Sequence, residues 1–539
     1  MIFDRKTQPI VLGALGLFFA SSGNARAQSI DESINEVVGA ITTPFVKFIF
    51  SPLPGTDIPW IVLWLVVAAT VFTFYFGFIQ VRAFRHSIDL VKGDYSRPED
   101  AGEVSHFQAL ATALSGTVGL GNIAGVAVAV SIGGPGATFW MIVAGLMGMA
   151  SKFTECTLGV KYRNEYPDGS VSGGPMYYLS KGLAEKGLRL PGRVMAVLFS
   201  VFCVMGALGG GNMFQANQVH AQIVNISGGA DSFLYDKGWI TGLVMASFVF
   251  LVIVGGIRSI ARFTEKIVPF MAVLYVGAAL VVLAIFYDKI PWALGQIFAG
   301  AFTGLGIAGG IVGALIQGFR RAAFSNEAGV GSASIAHAAV RTNEPITEGF
   351  VSLLEPFIDT VVICTMTALV IVITGVLQFD PQTGLYVWNS EAGRVATEGD
   401  LTGVALTSAA FGKGVSWFPY VLAVAATLFA FSTMISWSYY GMKAWTYLFG
   451  EGRRRELTFN TIFCVFVVIG AAMNLGAVID FADAAIFAMA LVNVAGLYIL
   501  MPVVKKEMKS YLDRLKSGEI RKTRGNDAGG AGARSGLRA

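Results

Sequence analysis

Formal charge is scarce in this chain. Asp, Glu, Lys and Arg make up 14% of its 539 residues, against roughly 25% in soluble domains. Hydrophobic residues make up 54%, and mean hydropathy is +0.63. That balance excludes an ordinary soluble domain. Cysteine is sparse too: Cys156, Cys203, Cys364 and Cys464 lie in apolar segments without paired spacing, which excludes a disulfide framework and a cysteine metal site. The histidines (His86, His106, His220, His337) are scattered, with no pair at i, i+4, and are assigned no chemistry. No nucleophile–base pair or His/Asp metal cluster falls within the apolar segments, so nothing points to an enzyme. Lys and Arg are absent from 109–130 and 300–318, which argues against an anionic ligand there. The net charge of +4 gathers between apolar runs and in a C-terminal tail, reading as topology signals rather than a nucleic-acid surface.

What is abundant is glycine, 65 residues, as close-packed membrane helices require. Apolar segments of spanning length fall near 59–80, 106–131, 136–160, 193–217, 239–257, 267–287, 299–319, 346–376, 415–447, 457–474 and 478–502. They predict an all-α integral membrane protein with eleven spans. Residues 1–27 read as a signal peptide: Arg5 and Lys6 precede a short apolar run, and Ala25-Arg26-Ala27 fits a cleavage site. A retained first helix is the alternative. A periplasmic segment, 28–58, and a peripheral helix, 59–80, would follow, and a basic cytoplasmic tail would close the chain at 503–539. Basic residues gather in alternate connections: Arg82–Arg97, Lys161–Arg193, Arg258–Lys266, Arg320–Arg341, Arg453–Arg455, then Lys505 and Lys506. The other connections hold only Lys47, Lys237, Lys289, Arg394 and Lys413. The positive-inside rule then puts the mature N-terminus in the periplasm and the C-terminus in the cytoplasm, in the cell inner membrane.

Ser115-Gly116-Thr117-Val118-Gly119-Leu120-Gly121-Asn122 interrupts the second of these spans at its middle. In lipid a broken helix survives only where it is buried or lines a polar cavity, and such breaks build the ion and substrate sites of secondary transporters. Five spans later, Thr303 to Gly310 forms a second glycine-rich interruption. An odd separation inverts the second half, so 106–287 and 288–502 are expected to be two inverted five-helix repeats meeting at these breaks. The match rests on hydropathy and glycine placement, not on repeated residues.

Four strings resemble the alanine or glycine:cation symporter family: Ala111–Gly125, Gly133–Met141, Phe324-Ser325-Asn326-Glu327-Ala328-Gly329-Val330-Gly331 and Ser432–Gly441. They lie in order across about residues 60 to 505. The resemblance implies a leucine-transporter-like inverted repeat with one extra N-terminal helix. It also implies sodium-driven uptake of a small neutral amino acid, with sodium as the co-transported ion and no organic cofactor.

A neutral amino acid is a zwitterion, and a half-helix N-terminus can hold its carboxylate without a buried arginine. Thr117, Gly119, Leu120 and Gly121 at the first break and Gly304 and Gly306 at the second are therefore the expected substrate contacts, with Gln215, Phe302 and Trp437 as possible walls. Gln215 and Asn217 either touch substrate or bridge helices; Phe302, Phe214 and Trp437 either gate or simply pack. By analogy with neurotransmitter:sodium symporters, Asn122 and the Thr117 carbonyl would form one sodium site. The Ser115 and Val118 carbonyls with Ser432 and Thr433 would form another. The plainer alternatives are that Asn122 caps the break and that the two hydroxyls bond back to their own helix. Of the acids in or beside spans, Glu155 is expected to pair with Lys161 and Glu327 to serve an inner gate or capped turn. Asp359, the deepest, is the candidate for proton sensitivity. Proton coupling is the alternative within the transporter class, and a channel is the alternative outside it.

Overall fold

The computed structural model describes residues 30–56, 58–96, 99–167, 169–303 and 310–522. The expected signal segment, Gly304, Gly306 and the end of the basic tail lie outside the described residues. The rest is helical apart from three two-residue antiparallel hairpins, at 164–172, 379–386 and 388–395.

Among the described residues, seven helices are long and apolar enough to cross a membrane: Gly136–Lys161, Arg189–Ile226, Gly256–Ile285, Pro345–Ile373, Phe418–Phe449, Arg453–Ala472 and Leu475–Ser517. An eighth is the pair His106–Thr117 and Gly121–Gly133, bent by 50° at its break. Trp60–Tyr75 and Gly238–Ile253 are apolar helices of 16 residues. The helix at His106 starts cleanly because Ser105 and Gln108 form a reciprocal capping box.

Small residues set how closely these helices approach. A Cβ on Gly211 would fall 2.2 Å from Trp437 Cγ, and one on Gly470 would fall 2.3 Å from the Met213 Cα. With lipid on the outside there is no hydrophobic gain between helices, so contact of this kind is what holds them. Three spans also carry π-helical turns, at Gly121–Gly125, Gly209–Met213 and Phe357–Cys364. Such turns recur at functional sites; Gly121–Gly125 packs against Phe357–Cys364, and Gly210 of the third lines the same cavity as Gly121.

The expected second break, 303–310, lies largely outside the described residues, between the helices Ile290–Thr303 and Gly310–Asn326. Gly310–Asn326 is an unbroken helix whose C-terminal end, not its beginning, reaches the centre. After Asn326 the chain turns through Glu327 (φ 56°), Gly329 (φ 81°) and Gly331 (φ 94°) before the short helix Ala333–His337. The residues before the expected break lie elsewhere. Gly300 packs on Gly136, where an added Cβ would fall 2.9 Å from the Gly136 nitrogen, and Trp140 Nε1 donates to the Ala301 carbonyl at 3.3 Å.

Arg320 and Arg321, counted among the basic topology signals, are held by acids. Arg320 contacts Asp480 at 3.2 Å and Asp483 at 2.6 Å, and Arg321 pairs with Asp483, near the start of Leu475–Ser517. Lys161 pairs with Glu507 at 2.7 Å, about 36 Å further along that helix at 1.5 Å per residue. The Arg321–Asp483 contact is buried, one turn before Ile486 of the central cavity.

Candidate functional site

The first break is built by amide side chains that replace lost helical partners. After Thr117 the chain leaves the helix at Val118 (φ −75°, ψ 85°). Asn122 Oδ1 then accepts from the Gly119 N–H at 2.8 Å, and Gln215 Oε1 accepts from the Leu120 N–H at 3.1 Å. Gln215 is itself held by donating to the Gly210 carbonyl at 2.9 Å. Gly119 is required here, since a Cβ would fall 2.5 Å from Thr433 Oγ1.

Phe418–Phe449 closes one side of this break. Thr433 Oγ1 donates to the Ser115 carbonyl at 3.0 Å, Ser115 Oγ to the Ser432 carbonyl at 2.8 Å, and Ser436 Oγ to the Thr112 carbonyl at 3.0 Å. The Ser432 hydroxyl turns back to the Phe429 carbonyl at 2.9 Å. Among the described residues no hydrogen bond reaches the Thr117 or Val118 carbonyls. Two free backbone oxygens, the Ser115 carbonyl and the Thr433 hydroxyl therefore share one small region, and hard oxygen donors of this kind suit a small cation.

Beside it lies a second polar group. Asn122 Nδ2 donates to Asp359 Oδ1 at 2.6 Å; Ser325 Oγ and Thr360 Oγ1 donate to Asp359 Oδ2 at 2.9 and 2.7 Å. Asp359 is fully buried, and its carboxylate has three hydrogen bonds. Ser325, at the end of Gly310–Asn326, was not singled out from the sequence. It sits one residue inside the Phe324–Gly331 string, which was the available signal.

A cavity beside the first break is walled by Gly116, Thr117, Gly121, Gln215, Thr433 and Trp437, with Gly210, Phe324, Glu327 and Ile486 completing it. It measures about 10 Å³ at a water's radius, room for roughly one water molecule. Glu327 anchors the aromatic wall: its Oε1 accepts from Trp437 Nε1 at 3.0 Å, and Ser332 Oγ donates to its Oε2. Another void, about 20 Å³, lies between Trp60–Tyr75 and Gly136–Lys161 behind Leu65, Ala68 and Ala69, and is also lined by Asn326, Ala328 and Gly329 of the turn that carries Glu327.

Several expected residues fall elsewhere. Phe302 is 44% exposed and packs on Phe139 and Phe298, so it walls nothing at the centre. Asn217 bridges helices, donating to the Gly470 and Met473 carbonyls at 3.3 and 2.5 Å, and Phe214 packs edge-on against Phe324. Glu155 does not pair with Lys161. It faces Lys152 at 3.9 Å and accepts from Asn493 Nδ2 at 3.0 Å, because it points along the buried side of its helix. Glu327 is not partnered by Arg320 or Arg321, which both turn to Asp483.

The histidines also change standing. His106 and His337 both contact Glu348, and His337 also contacts Glu355, in a wholly buried cluster with Lys152. The sequence signal that was passed over is Lys152 itself, a lone cation in the middle of an apolar span.

These features define a multi-pass membrane protein of the broken-helix transporter class. The model of the sodium:alanine symporter family matches residues 41–525, and the chain belongs to that family. It is similar to the sodium/alanine symporter AgcS of Methanococcus maripaludis, 40% identical, covering 87% of this chain and 96% of that one. It is 34% identical to the probable sodium/glutamine symporter GlnT of Bacillus subtilis, covering 83% and 87%. It is 32% identical to the putative sodium/proton-dependent alanine carrier protein YrbD of the same organism, covering 88% and 93%. Among solved structures it is similar to MhsT in complex with L-phenylalanine, with TM-score 0.50 and 12% identity over 76% of this chain and 99% of that one. That likeness shows the fold alone. Family and relatives together support cation-coupled amino acid transport.

Proposed function

We propose that this protein imports a small neutral amino acid, alanine or glycine, by symport with sodium across the cell inner membrane. The reading takes eleven spans, the last ten forming two inverted five-helix repeats, with the mature N-terminus outside and the C-terminus in the cytoplasm. One observation carries it: unpaired backbone oxygens at Thr117 and Val118 lie beside the Ser115–Thr433 contact, next to a cavity walled by glycine, Gln215 and Trp437.

The substrate carboxylate would meet the N-terminus of Gly121–Gly133, where backbone N–H groups carry partial positive charge. Gly121 permits close approach, and Gln215 and Trp437 bound the side-chain space. One sodium would sit between Asn122 and the Thr117 carbonyl. The other would sit among the Ser115 and Val118 carbonyls, Ser432 and Thr433. Alternating access would rock the helices bearing the breaks, with Gly136–Lys161 and Pro345–Ile373, against the others.

A second reading, proton coupling, is favoured by Asp359, a buried carboxylate directly on Asn122. Uptake that persists without sodium and collapses with the pH gradient would select it. The test of the main reading is uptake of labelled alanine into proteoliposomes across a sodium titration, for the wild type, Asn122→Ala and Thr433→Ala. Both variants are expected to need more sodium for half-maximal uptake. Unchanged sodium dependence in both would remove these ion-site assignments.

A further inference from the structure

The cytoplasmic end of this reading holds a buried charged array that the cation and substrate sites do not use. Glu348 contacts His106 Nδ1 through one oxygen and His337 Nδ1 through the other. His337 Nε2 lies 2.6 Å from Glu355 Oε1. Lys152 Nζ lies 3.2 Å from Glu355 Oε2 and 3.9 Å from Glu155 Oε1. Lys152, Glu155, His337, Glu348 and Glu355 are all fully buried.

The chemistry of His337 limits what this array can be. A neutral imidazole has one N–H donor and one bare acceptor nitrogen. Here both ring nitrogens face carboxylate oxygens. One of those contacts would oppose two lone pairs unless an additional proton sits on the imidazole or on a carboxyl group. The run Glu348–His337–Glu355 therefore holds a proton that its geometry requires. Cys156, His337 and Glu355 come within 4.8 Å of one another, as metal ligands do, but both imidazole nitrogens are already engaged by carboxylates.

The array lies on the helices that move in this reading and meets the others through Glu155, which accepts from Asn493 Nδ2 on Leu475–Ser517. His106 begins the half-helix leading to Ser115 and Thr117, and His337 ends the short helix after the turn that carries Glu327. Glu348 and Glu355 precede Asp359 on one span, and Lys152 and Glu155 lie on Gly136–Lys161. The remaining groups facing His337 and its partners are Cys156 and Glu327, with Tyr178 and Tyr440 from two further helices and Arg163, which donates to the Ala338 and Val340 carbonyls.

We propose that Glu348–His337–Glu355 is a proton-binding site that closes the cytoplasmic half, losing its proton to cytoplasmic water when that half opens. The proposal rests on the transporter reading and adds a ligand to it. Removing the shared proton leaves two carboxylates facing one neutral ring, so the closed form is disfavoured until a proton returns. Imidazole titrates in the physiological range, which makes the return step sensitive to cytoplasmic pH.

The test is sodium-driven alanine uptake into proteoliposomes with external pH fixed and internal pH stepped from about 6 to about 8.5. Wild-type uptake is expected to fall several-fold as internal pH rises, while His337→Gln and Glu348→Gln show a flattened profile with sodium dependence kept. In a parallel measurement, the purified wild type in weak buffer with a pH-indicator dye is given sodium alone, against choline. A proton change is expected there without any amino acid. Uptake indifferent to internal pH, together with no dye response, overturns the proton site. A dye response without alanine or glycine uptake keeps the proton site and rejects the substrate reading.

Discussion

Around Ser115–Asn122 the buried polar groups are carbonyls, hydroxyls and amides, and most have a partner within 3.1 Å. Around Lys152 nearly every buried polar group can carry a formal charge, and Lys152 Nζ, Glu155 Oε1 and Glu355 Oε2 lack an aligned hydrogen bond. Lys152 and Glu355 are close enough to attract each other without hydrogen-bond geometry. Neutral groups preorganised by their neighbours hold a guest without large reorganisation. An ionic cluster only partly hydrogen-bonded is costly to bury and sensitive to the loss of any one charge. The first region is suited to gripping cargo, the second to holding moving helices together until its charge state changes.

The largest expected effect falls on the charged region. Lys152→Met leaves Glu155 and Glu355 facing each other without their cation, a loss of about 3–5 kcal/mol when one partner of a buried pair is removed. Thermal unfolding in detergent should drop steeply, and an unchanged midpoint would show that this cluster is not compensated through Lys152. Next comes the aromatic wall. Gly211→Ala puts a Cβ 2.2 Å from Trp437 Cγ, at the stem of the side chain where rotation gives no relief. Trp437 must then leave the cavity, and uptake should fall about tenfold or more for an overpacking cost of about 1–3 kcal/mol, with the folded yield little changed. Normal uptake would show that Trp437 does not shape the site.

Asn122→Ala sharpens the contrast from the neutral side. It removes an amide hydrogen-bonded to Asp359, an interaction of about 1.5–3 kcal/mol when one partner is charged. The sodium concentration for half-maximal uptake should rise about ten- to a hundredfold, read from a sodium titration at fixed alanine. The smallest effect is expected where charges meet water. Arg514 holds Glu344 through two hydrogen bonds at 2.7 and 2.6 Å, but both are about one-third exposed. Arg514→Ala should cost only about 0.2–1 kcal/mol, leaving uptake close to wild type.

The first break was legible because its signals are local: small residues, an amide and a hydroxyl pair within short strings whose chemistry does not depend on distant partners. Asn122, Gln215, Thr433 and Trp437 all reach it. The second break, 303–310, lies largely outside the described residues, whereas the turn Asn326–Gly331, where one non-glycine residue, Glu327, adopts left-handed backbone, carries no glycine-density signal of that kind. Arg320 and Arg321 were counted as topology signals without their partners. Their partners Asp480 and Asp483 lie some 160 residues away, so local counting read paired side chains as free topology signals. The buried cluster was hidden most thoroughly, since His106, Lys152, His337 and Glu348 come from four different helices and each alone is an unremarkable polar residue near a helix end or within a span.

The most direct test of the central claim is an experimental density map of the protein with sodium and alanine bound. The amino acid is expected beside the first break, its carboxylate at the Gly121 N–H and its side chain toward Trp437. Density lodged outside the Gly116–Thr433 region would contradict the account.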